Sequence, residues 1–225
     1  MIRTGGLYAI NDNFNFSIDA TATFAPEDSM EDWVNSETSE ILQNNIVTLQ
    51  TTNTLVLGHY KFASNWQLLA GGSFNEEEFK RFKFKALSEN VADLSGYTVE
   101  ESIAHIDLHL GVGYGSDIIQ GQGTHFSARA IIGTPLWSRT KNTSYPDVQW
   151  SDANGYNLQL QTRYSVALSH DFHIGAFLNY SYTERNSDSV ENTYNDFLAQ
   201  NVAIAELPDS ETQVITIGLE LLWQL

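Results

Sequence analysis

Three titratable side chains occupy alternate positions in one stretch of the sequence: His105, Asp107 and His109. Alternate residues of an extended strand share a face, so these three would point the same way. An Asp between two His residues can polarise either imidazole for proton transfer. The two histidines would lie roughly 13 Å apart, too far to share one zinc ion unless another element contributes a ligand. We therefore interpret the three residues as a polar cluster inside the protein and expect no metal or other cofactor.

Four further charged residues, Asp19, Arg129, Arg163 and Glu220, lie at similar depth on four predicted strands. Buried charges need partners, so we expect these side chains to form one ion network that fills the interior. The alternative is a charged constriction in an open pore. We favour the network because an eight-stranded barrel is barely wider than its own side chains.

Strict alternation of apolar and polar residues indicates the strands that would position these groups. The pattern is clear over residues 14–24, 104–114, 126–132, 156–166, 172–182 and 215–225, and weaker over 54–62 and 66–74. This gives eight strands. Most have an apolar core of about 9–11 residues, which is the length that a tilted strand needs to cross a bilayer.

The connections between these strands alternate in length. Short connections are predicted at 63–65, 115–123 and 169–171, and long ones at 25–45, 75–102, 139–155 and 184–211. Aromatic residues also gather near both ends of the strands, as in the interfacial girdles of membrane barrels. We therefore predict one domain over residues 1–225, a transmembrane antiparallel up-and-down β-barrel of eight strands with short periplasmic turns and long extracellular loops. A soluble lipocalin-type cup is disfavoured because the polar face carries small residues that suit a narrow interior.

Charge and composition exclude several functional classes. The chain has 28 acidic against 11 basic residues, which argues against nucleic-acid binding. It has no cysteine, so it can form neither a disulfide nor a thiolate metal site. No apolar run approaches the roughly 20 residues of a membrane helix. The four long connections hold 22 of the 28 acidic residues, which concentrates the negative charge at one end of the predicted barrel.

Two segments resemble parts of known membrane proteins. Residues 216–223, with Gly218, Leu221 and Trp223, resemble the C-terminal signal by which bacterial outer-membrane barrels are recognised for assembly. Residues 57–74 are similar to a hairpin of small barrels of the OmpX, OmpW and OmpA-membrane-domain type. The resemblance implies an outer-membrane location, contact with lipid and lipopolysaccharide, and insertion by the barrel-assembly machinery. Met1–Gly6 lacks the apolar part of a signal peptide, so we expect that peptide to be absent from this sequence.

Several functions are compatible with these features. We favour a non-enzymatic surface protein that acts in adhesion, recognition or envelope stabilisation through its acidic loops. Phe79, Phe82 and Phe84, interleaved with basic residues, would form a protruding hairpin that contacts an extracellular protein or surface ligand. The segment 184–211 has apolar residues at helix-like spacing and could cap the mouth of the barrel. The alternatives are a narrow, porin-like channel for small or cationic solutes, and a hydrolase acting on lipid A or surface peptides through rim carboxylates and histidines.

Overall fold

The computed structural model describes residues 1–35, 37–89, 91, 93–115, 123–151, 154–169 and 171–223. These residues form thirteen β-strands. In chain order they are β1 (Ile2–Asn11), β2 (Phe14–Ala22), β3 (Asp28–Val34), β4 (Ile41–Ala63), β5 (Trp66–Ala86), β6 (Val99–Gly115), β7 (Thr124–Asn142), β8 (Tyr145–Trp150), β9 (Gly155–Ala167), β10 (Phe172–Arg185), β11 (Asp188–Asn195), β12 (Gln200–Leu207) and β13 (Ser210–Trp223). No helix in the described part of the chain is long and apolar enough to cross a membrane.

Nine of the strands follow one another in a single antiparallel up-and-down sheet, in the order β1-β2-β4-β5-β6-β7-β9-β10-β13. The sheet curls around a central space, here called the lumen, because side chains from strands far apart in this order meet inside it. Arg129 on β7 reaches Asp19 on β2, and Arg3 on β1 lies within hydrogen-bonding distance of Gln161 on β9. The chain is therefore all-β, with one curled sheet as its main body.

The prediction of a closed, eight-stranded barrel is wrong. The curled sheet contains an additional first strand, β1, which pairs with β2 over its whole length. Its sequence includes Gly5 and Gly6, which interrupt the alternation on which the prediction relied. Among the described residues, β1 pairs only with β2 and β13 pairs only with β10, so the sheet is open between β1 and β13. With nine antiparallel strands, β1 and β13 run in the same direction.

The four long connections consist largely of further strands. β4 and β5 continue well past the predicted segments 54–62 and 66–74, and β3 pairs with the extension of β4. β8 pairs with the end of β7, and β11 with β12. The segment with helix-like spacing is thus a β-hairpin. These strands escaped prediction because both of their faces carry polar residues, which removes the period-two signal. Of the predicted short connections, 115–123 lies mostly outside the described residues.

The curled sheet is polar inside and apolar outside. On β6, His109 is fully buried whereas its neighbour Leu110 is 59% exposed. The same contrast holds on the neighbouring strands. Buried polar residues that face inward include Asn15, Ser17, His59, Gln67, Ser73, Asn75, Ser127, Asn157, Gln161, Ser165 and His173. Exposed apolar residues that face outward include Leu68, Ile106, Leu108, Ile132, Leu160, Leu178, Ile217 and Leu219.

Buried apolar side chains form two small clusters rather than one large core. Leu55, Leu57, Leu69 and Ile131 pack together inside the curled sheet. The second cluster lies among the added strands and contains Val148, Trp150, Ala205 and Leu207. The rings of Tyr145 and Trp150 meet edge to face at a centroid distance of 5.8 Å beside this second cluster. The strands β8, β11 and β12 are therefore joined by apolar packing of their own.

Gly71 allows β4 and β5 to approach closely. A Cβ atom at this position would lie 1.9 Å from the backbone oxygen of Val56. We expect Gly71→Ala to push the two strands apart and to lower the free energy of unfolding by about 1–3 kcal/mol. The matched control is Gly113→Ala, because a Cβ there would meet Leu69 at an ordinary 3.7 Å. Urea unfolding followed by tryptophan fluorescence measures both, and equal midpoints for the two variants would contradict this role of Gly71.

Candidate functional site in the lumen

The innermost charged layer of the lumen centres on Asp19. Its two carboxylate oxygens accept hydrogen bonds from Arg3 at 2.9 Å and from Arg129 at 3.1 Å. Nearby, Arg163 forms a separate ion pair with Glu220, with 3.0 Å between Nε and Oε2. The four charged residues named from the sequence thus occupy one region of the lumen as two ion pairs. Arg3 completes the layer and was missed because β1 was not predicted.

The middle layer is built around Asp107, which is only 2% exposed. His105 Nδ1 lies 2.9 Å from Asp107 Oδ1. Asp107 Oδ2 accepts hydrogen bonds from the side-chain amides of Asn75 at 3.0 Å and Asn157 at 2.8 Å. His109 does not share this carboxylate, because its Nε2 lies 2.8 Å from the hydroxyl of Ser73. The structure therefore brings His105 and Asp107 together and gives His109 a different partner.

The outer layer joins four strands through alternating charges. Arg81 on β5 donates two hydrogen bonds to Glu31 on β3, at 2.7 and 3.2 Å. Glu101 on β6 lies 3.5 Å from Arg81 and accepts a hydrogen bond from Arg185 on β10 at 3.1 Å. Sequence reasoning missed this layer because all four residues fell at or within segments predicted to be loops. Arg81 points inward, between Glu31 on β3 and Glu101 on β6. This position could be predicted only if β5 were known to extend to Ala86.

Two cavities lie between these layers. The outer cavity has a volume of about 100 Å³ and is lined by the outer layer together with Tyr156 and Glu184. The inner cavity has a volume of about 140 Å³ and is lined by Arg3, Asp19 and Arg129. Glu77, His105, Asp107 and Asn157 line both. The middle layer is thus the wall between a space open to the outer rim and a space closer to the short turns.

Apolar packing adjoins the inner cavity on its short-turn side. Leu55 lines that cavity and packs with Leu57, Leu69 and Ile131. Beyond them, His59 lies within hydrogen-bonding distance of Ser17 at 2.8 Å and of Gln67 at 3.0 Å. Ion pairs, apolar side chains and hydrogen-bonded polar groups therefore follow one another along the lumen and occupy much of it.

The three phenylalanines expected to contact a partner lie on β5 above the lumen. Phe84 is buried, and Phe79 and Phe82 are partly buried. The guanidinium of Arg81 lies 5.0 Å from the ring centre of Phe79, and Lys83 Nζ lies 5.4 Å from that of Phe82. These contacts occupy one side of two of the three rings and leave Phe84 inaccessible.

The residues of the proposed assembly signal lie on β13, at the open edge of the sheet. Leu221 and Trp223 face outward and are strongly exposed. Gly218 faces inward, where a Cβ atom would meet the ring of Phe177 at 2.5 Å. That ring in turn lies 5.7 Å from the guanidinium of Arg3 on β1. The ring of Phe177 on β10 thus lies against the backbone of β13 at Gly218 and near the Arg3 side chain of β1.

No family model matches the chain, and no curated protein matches it. Within the described residues, no group of three or more His, Asp or Glu side chains is arranged to hold a metal ion. The geometry of the lumen and of the outer face therefore carries the functional argument.

Asp19 is the counter-charge for two arginines, so replacing it with a neutral residue should destabilise the protein. We expect Asp19→Asn to lower the free energy of unfolding by about 3 kcal/mol, because Arg3 and Arg129, both largely buried, would lose their ion pairs with this carboxylate. Lys80→Gln is the control, since Lys80 and Glu100 form a pair at 3.2 Å in which both side chains are 57% exposed. Such exposed pairs contribute at most about 1 kcal/mol. Equal losses in urea unfolding would show that the Asp19 layer is not a stabilising unit.

Proposed function

We propose that this protein spans the bacterial outer membrane and acts at the cell surface, in adhesion, recognition or envelope stabilisation, through the strands that rise beyond the membrane. The observation that carries the proposal is the polarity of the curled sheet. Large apolar side chains such as Leu108, Leu110 and Ile132 are exposed on its outer face, while charged and amide side chains fill its interior. In water, an apolar face of this extent would drive association. In lipid it is the favourable face.

The apolar face has the height and borders of a membrane belt. One border is an aromatic row in which Trp66 pairs with Tyr114, with ring centroids 5.1 Å apart. The other contains Phe74 and Trp137, both in register with Ile106. From residue 66 to residue 74 an extended strand rises about 27 Å, which at a tilt of about 35–45° spans roughly 19–22 Å, most of the roughly 25 Å of an outer-membrane belt.

The proposal places a requirement on the seam between β1 and β13. Unpaired backbone N–H and C=O groups are costly in hydrocarbon, so an edge strand cannot face lipid. Within the described residues, each of these two strands has one neighbour. Because they run in the same direction, they close the barrel either by parallel pairing or through a further strand antiparallel to both. The protein can insert into a membrane only if β1 and β13 are joined in one of these two ways.

A surface role is favoured over a channel by the contents of the lumen and by the order of the rim. Ion pairs and the Leu55, Leu57, Leu69 and Ile131 cluster occupy the lumen. The rim, in contrast, is folded: β8, β11 and β12 enclose an apolar cluster and carry exposed acids such as Glu191 and Glu206. A folded acidic rim on a filled barrel suits recognition of a positively charged partner or surface.

A single charge in the apolar belt should block insertion. We expect Leu110→Lys to destabilise the protein folded in lipid vesicles by about 2–4 kcal/mol, because its ammonium would face the middle of the bilayer. The control is Met30→Lys on β3, which is 72% exposed but lies beyond the belt. The fraction folded is read from the heat-dependent migration of a closed barrel on an SDS gel. Equal folding of both variants, or a wild type that is monomeric without detergent, would contradict the membrane location.

Neutralising the rim should weaken binding to a positively charged surface. We expect cells displaying the variant Glu191→Gln, Asp196→Asn, Glu206→Gln to adhere a few-fold less to polylysine-coated plates than cells displaying the wild type, with the difference shrinking as salt is raised. The control exchanges the same three residues for the other acid, Asp for Glu and Glu for Asp, and keeps the charge. Full adhesion of the neutral variant would contradict a role of this rim. Discrete conductance steps in a planar bilayer would favour the channel instead.

A further inference from the structure

We propose that His105 and Asp107 form a general-base pair that activates water to hydrolyse an ester or amide bond in a positively charged substrate bound in the outer cavity. This activity goes beyond the proposed surface role and does not depend on it. Three observations carry it: the hydrogen bonds that fix the imidazole, the position of His105 between the two cavities, and an unpaired carboxylate beside it.

The hydrogen bonds around Asp107 determine which nitrogen of His105 can act as a base. Both amide contacts, from Asn75 and Asn157, go to Oδ2, which leaves Oδ1 to His105. An ionised carboxylate only accepts hydrogen bonds, so His105 Nδ1 must carry a proton and donate it. The lone pair of the neutral ring then lies on Nε2, which is the arrangement of a histidine base oriented by a carboxylate.

A substrate in either cavity can reach His105. This residue lines both cavities, its side chain is 13% exposed, and its Nε2 has no hydrogen-bond partner among the described residues. By contrast, His59 and His109 are almost completely buried and lie in contact with Ser17 and Ser73. His105 also pairs with Asn75 one position beyond the Phe74 and Trp137 border, so it lies at the rim-side end of the apolar belt.

The charges around the outer cavity select a cationic substrate. Glu77 lies two residues beyond Asn75 on the same inward face, diagonally across from His105, and lines both cavities. No hydrogen-bond or ion-pair partner for its carboxylate exists among the described residues. The basic groups in the same wall, Arg81 and Arg185, are already paired with Glu31 and Glu101. Burial raises the pKa of Glu77, and an ammonium or guanidinium group bound within reach of the base would supply the counter-charge that its carboxylate lacks.

The reaction needs only water as co-reactant. As the water oxygen attacks the acyl carbon, Nε2 of His105 takes one of its protons and the carbonyl electrons move to oxygen. When this tetrahedral intermediate collapses, the bond to the leaving alcohol or amine breaks and the leaving group takes the proton from Nε2. The products are a carboxylic acid and an alcohol or amine. Asp107 stays ionised throughout and stabilises the imidazolium.

The test uses two chromogenic probes, the p-nitrophenyl esters of Nα-acetyl-lysine and of Nα-acetyl-glutamate, with the purified full chain folded in detergent. We expect saturable hydrolysis of the lysine ester, and a loss of about 100-fold or more in kcat/KM in His105→Gln, since general bases contribute at least that factor. The Gln amide can still donate to Asp107 but cannot take a proton. Glu77→Gln should lose the preference for lysine over glutamate with little change in kcat for the lysine ester.

The control is His173→Gln, which removes an imidazole at the far end of the lumen, near the short turns, and should leave hydrolysis unchanged. Heat-dependent gel migration shows that each variant is folded. If His105→Gln does not fold, Asp107→Asn and Glu77→Gln provide the same test through kcat and through substrate preference. Hydrolysis that is not saturable, or that is equal in folded wild type and His105→Gln, would overturn the proposal. Adhesion and insertion are measured separately, so this outcome leaves the surface role standing.

Discussion

The rest of the structure depends on the fact that successive side chains of a strand point to opposite sides of the sheet. In this chain one set is apolar and the other polar, and the sheet curls with the polar set inside. Polar groups withdrawn from water need partners, and across a narrow lumen those partners come from other strands. Asp19 on β2 is thus bound by Arg129 on β7, and Asp107 on β6 by Asn157 on β9. Polar contacts across the lumen do here what apolar packing does in a water-soluble β-sandwich.

The three polar layers differ in how many of their charged side chains form ion pairs. Side chains in ion pairs stabilise the structure, whereas unpaired ones can react or bind a ligand. The Asp19 layer and the Arg81 layer hold acids and bases in mutual ion pairs, so their charges are compensated within the protein. Such groups fix the relative positions of strands but offer little to a ligand. The middle layer instead holds Asp107 with an imidazole and two amides, next to the unpaired Glu77. This cavity wall leaves Nε2 of His105 and the carboxyl group of Glu77 available to a ligand.

Sequence reasoning predicted the parts of the fold in which both faces of a strand carry a consistent signal. The alternation over 104–114 places Asp107 and His109 on one face, and the structure buries both. It failed where apolar and polar residues did not alternate. β1 has a glycine pair, and the extensions of β4 and β5 mix apolar and polar residues on both faces, so none of these segments shows a regular period of two. The sequence also could not show that Asp107 contacts His105 rather than His109. That contact depends on Asn75 and Asn157, which occupy the other carboxylate oxygen. They come from other strands, and no local pattern fixes the register of those strands against β6.

The outer layer connects the folded rim to the middle layer. Arg81 and Glu101 stand on the same two strands as Glu77 and His105, a few residues further out, and they fasten those strands to β3 and β10. Buried ion pairs of this kind resist separation because a lost partner leaves an uncompensated charge. The backbone ladder already sets the spacing between β5 and β6. The ion pairs hold these two strands to β3 and β10 above the cavity, and the Asn157 amide ties Asp107 to β9 beside it.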